Sequence, residues 1–228
     1  MAAQEGTTLG AIYRSVKARL LAGEFAPGDK LRPDALRDTY DVSATAMREV
    51  FLRLVNEQLL TQEEQRGFRV PDADERRLTE LMGLRILLES EGAAGSITRG
   101  DVEWEAQLYA AHHKLAHIEQ KMKDADDIAP FVPIWTRIDW EFHQTLLSAG
   151  PSEVLRVTHR SVYEQFRQQV VASLSSAGFR PETIPEHAAI LDAAVARDIP
   201  ACQAAIRAHL QTFRDDVRDH LRDPHATA

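Results

Sequence analysis

Residues 43–60 read SATAMREVFLRLVNEQLL, and this stretch decides the fold of the N-terminal part. Met47, Val50, Phe51, Leu54 and Val55 recur at steps of three and four, so they share one helical stripe facing a core. Ser43 can cap the first turn by accepting a backbone N–H. Thr45, Arg48, Glu49 and Arg53 are left on the other faces. A polar first turn ahead of an apolar stripe suits a helix that is locked to its domain on one side and reads a duplex with the other.

The flanking sequence agrees. Pro33 to Tyr40 predicts a short helix with Pro at its first position and Asp34 in its first turn. Its stripe is Ala35, Leu36 and Tyr40. Asp41-Val42 is then the tight turn of a helix–turn–helix. Leu9 to Leu21 predicts a helix with Ile12, Val16 and Leu20 inward, and residues 23–29 (GEFAPGD) a turn segment. After Leu60, TQEEQRGFRV (61–70) reads as two short extended runs around a polar tip holding Arg66 and Gly67, a wing. Residues 1–70 are thus expected to be a winged helix-turn-helix domain that binds double-stranded DNA. The same spacing also suits three amphipathic helices in a small bundle, and periodicity alone does not separate the two.

Charge is partitioned along the chain. The protein has 228 residues and a net charge of −8. Residues 1–70 hold ten basic and ten acidic side chains, and residues 71–228 hold 17 and 25, so the acidity belongs to the C-terminal part. A neutral DNA-binding domain must lean on a few placed arginines, and a homodimer is expected to supply the rest of the affinity. No run approaches the roughly 18 apolar residues of a membrane helix. The N-terminus lacks a secretion pattern and Cys202 is the only cysteine, which points to a reducing cytoplasm.

Residues 71–77 (PDADERR) are the candidate linker, and residues 78–228 read as six helices: 78–98, 101–123, 131–149, 152–176, 185–197 and 198–221. The fold class is therefore mainly α, a winged domain followed by an all-α antiparallel bundle. On the first of these helices Leu81, Leu84 and Leu88 are the expected core stripe. His112, His113 and His117 are read as solvated. Four polar residues fall among apolar neighbours instead. Asp139 and His143 are four apart on one helix, His187 accompanies Ile190 and Leu191, and His209 accompanies Ile206 and Leu210. A buried carboxylate needs a partner, and a divalent cation would use it and the imidazole lone pairs together. Hydrogen-bonded core histidines fit the pattern equally well.

Residues 28–70, with GDKLRPDALRDTYDVSATAMREVFLRLVNEQLL and RGFRV, resemble the winged-helix domain of the GntR family of bacterial transcription regulators. LRILLES (84–90), DWEFH (139–143), EHAAILDAAVARD (186–198) and AAIRAHL (204–210) resemble its FCD effector domain, in the FadR-like subfamily. Residues 100–106 also resemble its CsiR-type branch. The resemblance implies Asp139, His143, His187 and His209 as ligands of zinc, nickel or manganese. It implies a small carboxylate effector completing the metal's coordination. Arg85 matches the arginine that could clamp that carboxylate, against an intrahelical pair with Glu89. Arg160 and Arg167 are further pocket candidates. The family's usual Arg-Thr-Pro is Ala44-Thr45-Ala46 here, so the operator should differ from its common one. Arg32 stands where a capping Ser is usual and is a candidate phosphate contact. Pro151 replaces an Asn.

The expected function is an effector-responsive repressor, with Arg32, Ser43, Thr45, Arg48, Arg53, Arg66 and Gly67 toward DNA. A metal-dependent hydrolase or lyase with Glu141 or Glu186 as base, and a purely structural metal site, are the alternatives.

Overall fold

The computed structural model describes residues 8–63, 67–72, 74–177 and 179–222. Contacts divide the chain into two compact units, residues 1–73 and 74–228.

The first unit is built on α1 (Leu9–Leu21), α2 (Pro33–Tyr40) and α3 (Ala44–Asn56), with strands β1 (Lys30–Leu31), β2 (Thr61–Glu63) and β3 (Gly67–Arg69). Thr8 caps α1 and Ser43 caps α3, each accepting an N–H three residues on. Asp41 ends α2 in the left-handed region at φ 52°, which turns the chain sharply into Ser43. Ile12, Val16 and Leu20 meet Met47, Val50, Phe51 and Leu54, all fully buried. Phe51 packs edge-on against Phe68 of β3, with ring centroids 5.1 Å apart, and so fastens α3 to the wing. Of the α2 stripe only Leu36 is buried; Ala35 is exposed. The sheet is antiparallel in the order β1-β3-β2, with Leu31 opposite Phe68 and Gln62 opposite Phe68. The β1 strand was hidden in the sequence because two residues carry no periodicity.

The second unit holds α4 (Glu75–Arg99), α5 (Val102–Lys123), α6 (Val132–Leu146), α7 (Glu153–Ala177), α8 (Thr183–Val195) and α9 (Ile199–Arg222), with a short 3-10 turn at Ala129–Phe131. Helix α4 begins inside the stretch expected as linker. Asp74 is extended and accepts the Arg76 N–H at 3.0 Å, and that cap lets the helix start at Glu75. Asp101 and Asp198 cap α5 and α9 in the same way.

The inward face of α4 is Leu78, Met82, Arg85, Glu89, Ala93 and Ile97. Of the expected leucine stripe, Leu81 is buried and Leu88 partly so, while Leu84 is 39% exposed; the neighbouring Leu87 is also outside, at 67%. The reason is electrostatic: Arg85 and Glu89 neutralise each other inside the bundle and take the core positions. Gly92 lets α4 approach its neighbours, since a Cβ there would stand 2.5 Å from Leu147 Cγ. Among the described residues no helix is long and apolar enough to cross a membrane.

Candidate metal centre and DNA-reading helix

All six helices of the second unit send a polar side chain into its interior. Asp139 and His143 come from α6, His187 from α8 and His209 from α9, and all four are buried. One nitrogen from each of His143, His187 and His209 lies within 4.8 Å of the others. The His187 and His209 rings are 4.4 Å apart, and each is under 6 Å from His143. Asp139 Oδ1 stands 3.9 Å from His143 Nε2 and 3.7 Å from His187 Nε2. The four side chains therefore share a focus.

Each histidine also carries an acid on its far side. His143 Nδ1 is 2.9 Å from Glu89 Oε2, His187 Nδ1 is 3.1 Å from Glu119 Oε1, and His209 Nδ1 is 2.8 Å from Glu186 Oε2. A carboxylate that accepts at Nδ1 leaves the Nε2 lone pair facing the focus, which is the tautomer metal ligation needs. Both His187 nitrogens are buried without a well-formed hydrogen bond, Nδ1 meeting Glu119 only as an ion-pair contact and Nε2 facing the focus. Ligands about 2.1 Å from an ion in tetrahedral or octahedral geometry stand ~3.0–3.4 Å apart, so the nitrogens, now within 4.8 Å of one another, must draw together to close the set around an ion. The donor set and the orphaned nitrogen fit a divalent cation.

The electrostatics agree with that fit. Burial pushes His209 down to about 3, with the neighbouring His187 adding to the effect; the ring stays neutral. Burial works against the Asp139 carboxylate, but Arg167, His143 and His187 outweigh it and hold its pKa low. The Tyr163 hydroxyl donates to its Oδ2. Glu89 behaves likewise: burial opposes its charge, while Arg85 and His143 hold it well below the usual range. His187 is the exception, lifted by Glu119 and Asp139 against burial.

A pH dependence follows. His209 takes up its proton in the unfolded chain near pH 6.5 and in the fold only near 3, so acid favours unfolding across that window. At pH 5 the metal-free protein should be less stable than at neutral pH by about 2 kcal/mol from this group. His187 has the opposite sign: its contribution is complete below its ordinary pKa and is lost as pH rises. Urea unfolding of the metal-free protein between pH 7 and 5 should therefore show a slope that His209→Asn reduces. An unchanged slope in that variant refutes the assignment.

The arginines divide. Arg85 lies at the cavity wall over the Tyr163 and Phe166 rings; its Nε donates to Glu89 Oε1 at 2.7 Å, while its Nη2 makes an ion-pair contact with the same oxygen at 2.6 Å and no hydrogen bond. Arg167 is also buried. Its guanidinium lies 3.6 Å over the Trp135 ring and 3.9 Å from Asp139 Oδ2, and its Nε and Nη2 have no hydrogen-bond acceptor. Arg160 does not join them. It is exposed over Trp140 on an outer groove between α6 and α7. The cavity between Arg85, Arg167, Asp139 and the histidines measures about 10 Å³, the room for one water.

Other expectations are corrected. His112 is half-buried against Phe142, not solvated, and its Nε2 is sealed from water; His113 and His117 are exposed as expected. Glu141 pairs with Lys114 at the surface, and Glu186 is held by Arg180 and His209, so neither is placed as a base toward the focus. The sequence reading missed Glu89, Glu119 and His159 as members of the site. Glu119 did leave a trace, falling on the apolar spacing of Leu115 and Met122.

In the first unit Ser43, Thr45, Arg48 and Arg53 line the start and outer side of α3, all exposed. Ser43 spends its hydroxyl on the Ala46 N–H. Arg48 extends over the Phe68 ring at 5.6 Å, which joins the helix surface to the wing. Arg53 is paired with Glu49 at 2.6 Å. Arg32 is exposed at the start of α2 and makes no cap. Gly67 opens β3 at φ 91°, a conformation that suits glycine; Arg66 lies outside the described residues.

Residues 8–70 match the pattern of the bacterial regulatory proteins of the gntR family, and residues 80–212 match the FCD domain. The chain is 30% identical over 210 residues to the uncharacterized HTH-type transcriptional regulator BphR of Paraburkholderia xenovorans, covering 91% of this chain and 84% of that one. It is 27% identical to the HTH-type transcriptional repressor GlaR of Escherichia coli, covering 88% and 91%. The solved structure of E. coli McbR/YncC superimposes with a TM-score of 0.76 at 21% identity over 93% of this chain and 98% of that one. A putative GntR regulator from Rhodococcus sp. RHA1 gives 0.75 at 22%, over 92% and 97%.

Proposed function

This chain belongs to the GntR family and is a DNA-binding transcriptional regulator with an FCD effector-binding domain, and on that premise we propose that it is a homodimeric repressor whose hold on its operator responds to a small carboxylate at a divalent-metal centre. The relatives and matching folds are regulators, and the chain is a regulator, not an enzyme. One observation carries the metal reading: three neutralisable imidazoles and Asp139 converge in an apolar interior, each imidazole backed by its own carboxylate. Zinc, nickel and manganese all suit such mixed nitrogen and oxygen donors. A bound ion would supply a positive centre and an open position for a carboxylate oxygen.

Arg167 is the clamp for that carboxylate in this reading, because it stands beside Asp139 with both Nε and Nη2 unspent, while Arg85 gives its Nε to Glu89 and keeps only Nη2 without a hydrogen bond. A cavity of about 10 Å³ admits even a small organic acid only if side chains of α8 and α9 give way. Effector entry is thereby tied to a change of shape. Changing the spacing of two winged domains on two half-sites is enough to alter binding. GntR-family regulators typically dimerise, and exposed Leu87, Val154 and Val157 on α4 and α7 offer apolar surface for it. Support for the repressor sense comes from the description of GlaR.

Selection from a random duplex library, followed by gel shifts at moderate salt, tests the DNA part. The expected product is one near-palindromic site. Arg48→Ala should weaken its binding by about 1–3 kcal/mol and relax one base position; equal loss on every sequence would make Arg48 a phosphate contact only. Arg167→Gln should bind the selected duplex as the parent does and lose most of the response to added carboxylates. A parental response in that variant removes Arg167 from the effector site.

A further inference from the structure

We propose that His159, which is outside the ligand set, is a positioning residue for the metal centre: it holds Glu89, and Glu89 aims His143. The inference rests on the metal reading above. Glu89 is completely buried and both its oxygens are used. Oε2 accepts from His143 Nδ1 at 2.9 Å, and Oε1 accepts from Arg85 and from His159 Nε2, the latter also at 2.9 Å.

The two partners of Oε1 are not equivalent. Arg85 sits on α4 one turn before Glu89, so it moves with the carboxylate and cannot locate it against another helix. His159 comes from α7. Among the described residues it is therefore the one donor to Glu89, besides the ligand histidine itself, that ties α4 to a second element. The ring is in turn gripped by Trp140, stacked at 5.5 Å and 19°, and Trp140 follows Asp139 on α6. The chain of contacts runs α4 to α7 to α6 and closes around the ligands. Because Glu89 only accepts, the proton on Nε2 of His159 is fixed, and so is the direction in which the ring is useful. His159 also forms part of the wall of an outer groove of about 390 Å³, so the tie reaches from that surface to the centre.

Donor and ring make opposite demands on substitutions, and this separates positioning from packing. His159→Phe keeps a flat ring for Trp140 and removes the N–H. His159→Gln removes the ring and keeps an N–H that reaches Glu89. Zinc affinity is read by competition with a chromophoric chelator, and the cobalt(II)-loaded protein by its visible spectrum. His159→Phe should bind zinc ~10-fold more weakly, the low end for outer partners of a ligand, with an altered cobalt spectrum. His159→Gln should stay within about threefold of the parent. His159→Leu is a second donor-free variant should the Phe protein fail to fold. Parental affinity in the donor-free variants, or an equal loss in His159→Gln, overturns the proposal while leaving the metal centre standing. A parent protein that binds neither zinc nor cobalt overturns both.

Discussion

Glu89→Leu should cost the helical unit about 3–5 kcal/mol, the usual consequence of stranding one member of a buried ion pair. Arg85 and Glu89 are 2% and 0% exposed. Without the carboxylate the guanidinium keeps its charge in the core, and His143 and His159 lose their acceptor as well. Adding Arg85→Leu to the same chain should return much of the loss, because two apolar side chains leave no charge uncompensated. Urea unfolding of the metal-free proteins measures both steps. A single variant that loses less than about 1 kcal/mol would show that water or a rearranged partner reaches Arg85, and the buried network would not be what holds α4 in place.

The second large effect concerns the ligands. Zinc at about a thousandfold its dissociation constant should stabilise the parent by ~4 kcal/mol, a rise of roughly 10 °C in melting temperature for a chain of this size. His187→Ala should abolish that increment. Its Nε2 is 3.7 Å from Asp139 Oδ1 and its ring is 4.4 Å from His209 and 5.6 Å from His143, so its loss both removes a donor and opens the focus. Affinity should fall by more than the ~10–100-fold typical of outer partners. Differential scanning calorimetry with and without zinc checks this. A full increment retained in His187→Ala would place the ion elsewhere.

The sequence showed some of this and hid the rest, for physical reasons. The α3 stripe, the capping Ser43 and the helix limits of the first unit were legible because local spacing and capping govern them. Asp139 and the three histidines stood out because polar residues on apolar faces are rare, although their convergence depends on three helices meeting and has no local signature. Arg85 and Glu89 were legible as an intrahelical pair one turn apart, and only the packed bundle shows that they are buried while Leu84 is exposed. His159 and Glu119 were hidden in the same way, since their partners lie 70 and 68 positions away in the chain. Arg167 acquires interest only once its unspent donors are seen in a closed cavity.

The central claim joins the cluster in the helical unit to the duplex-reading one. Fluorescence anisotropy of the selected operator, titrated with zinc-loaded dimer in the presence and absence of a carboxylate panel, tests it most directly. At least one carboxylate should shift the dissociation constant 5–150-fold, and the shift should vanish in the metal-free protein. The same affinity under every condition, with zinc bound, would contradict the account.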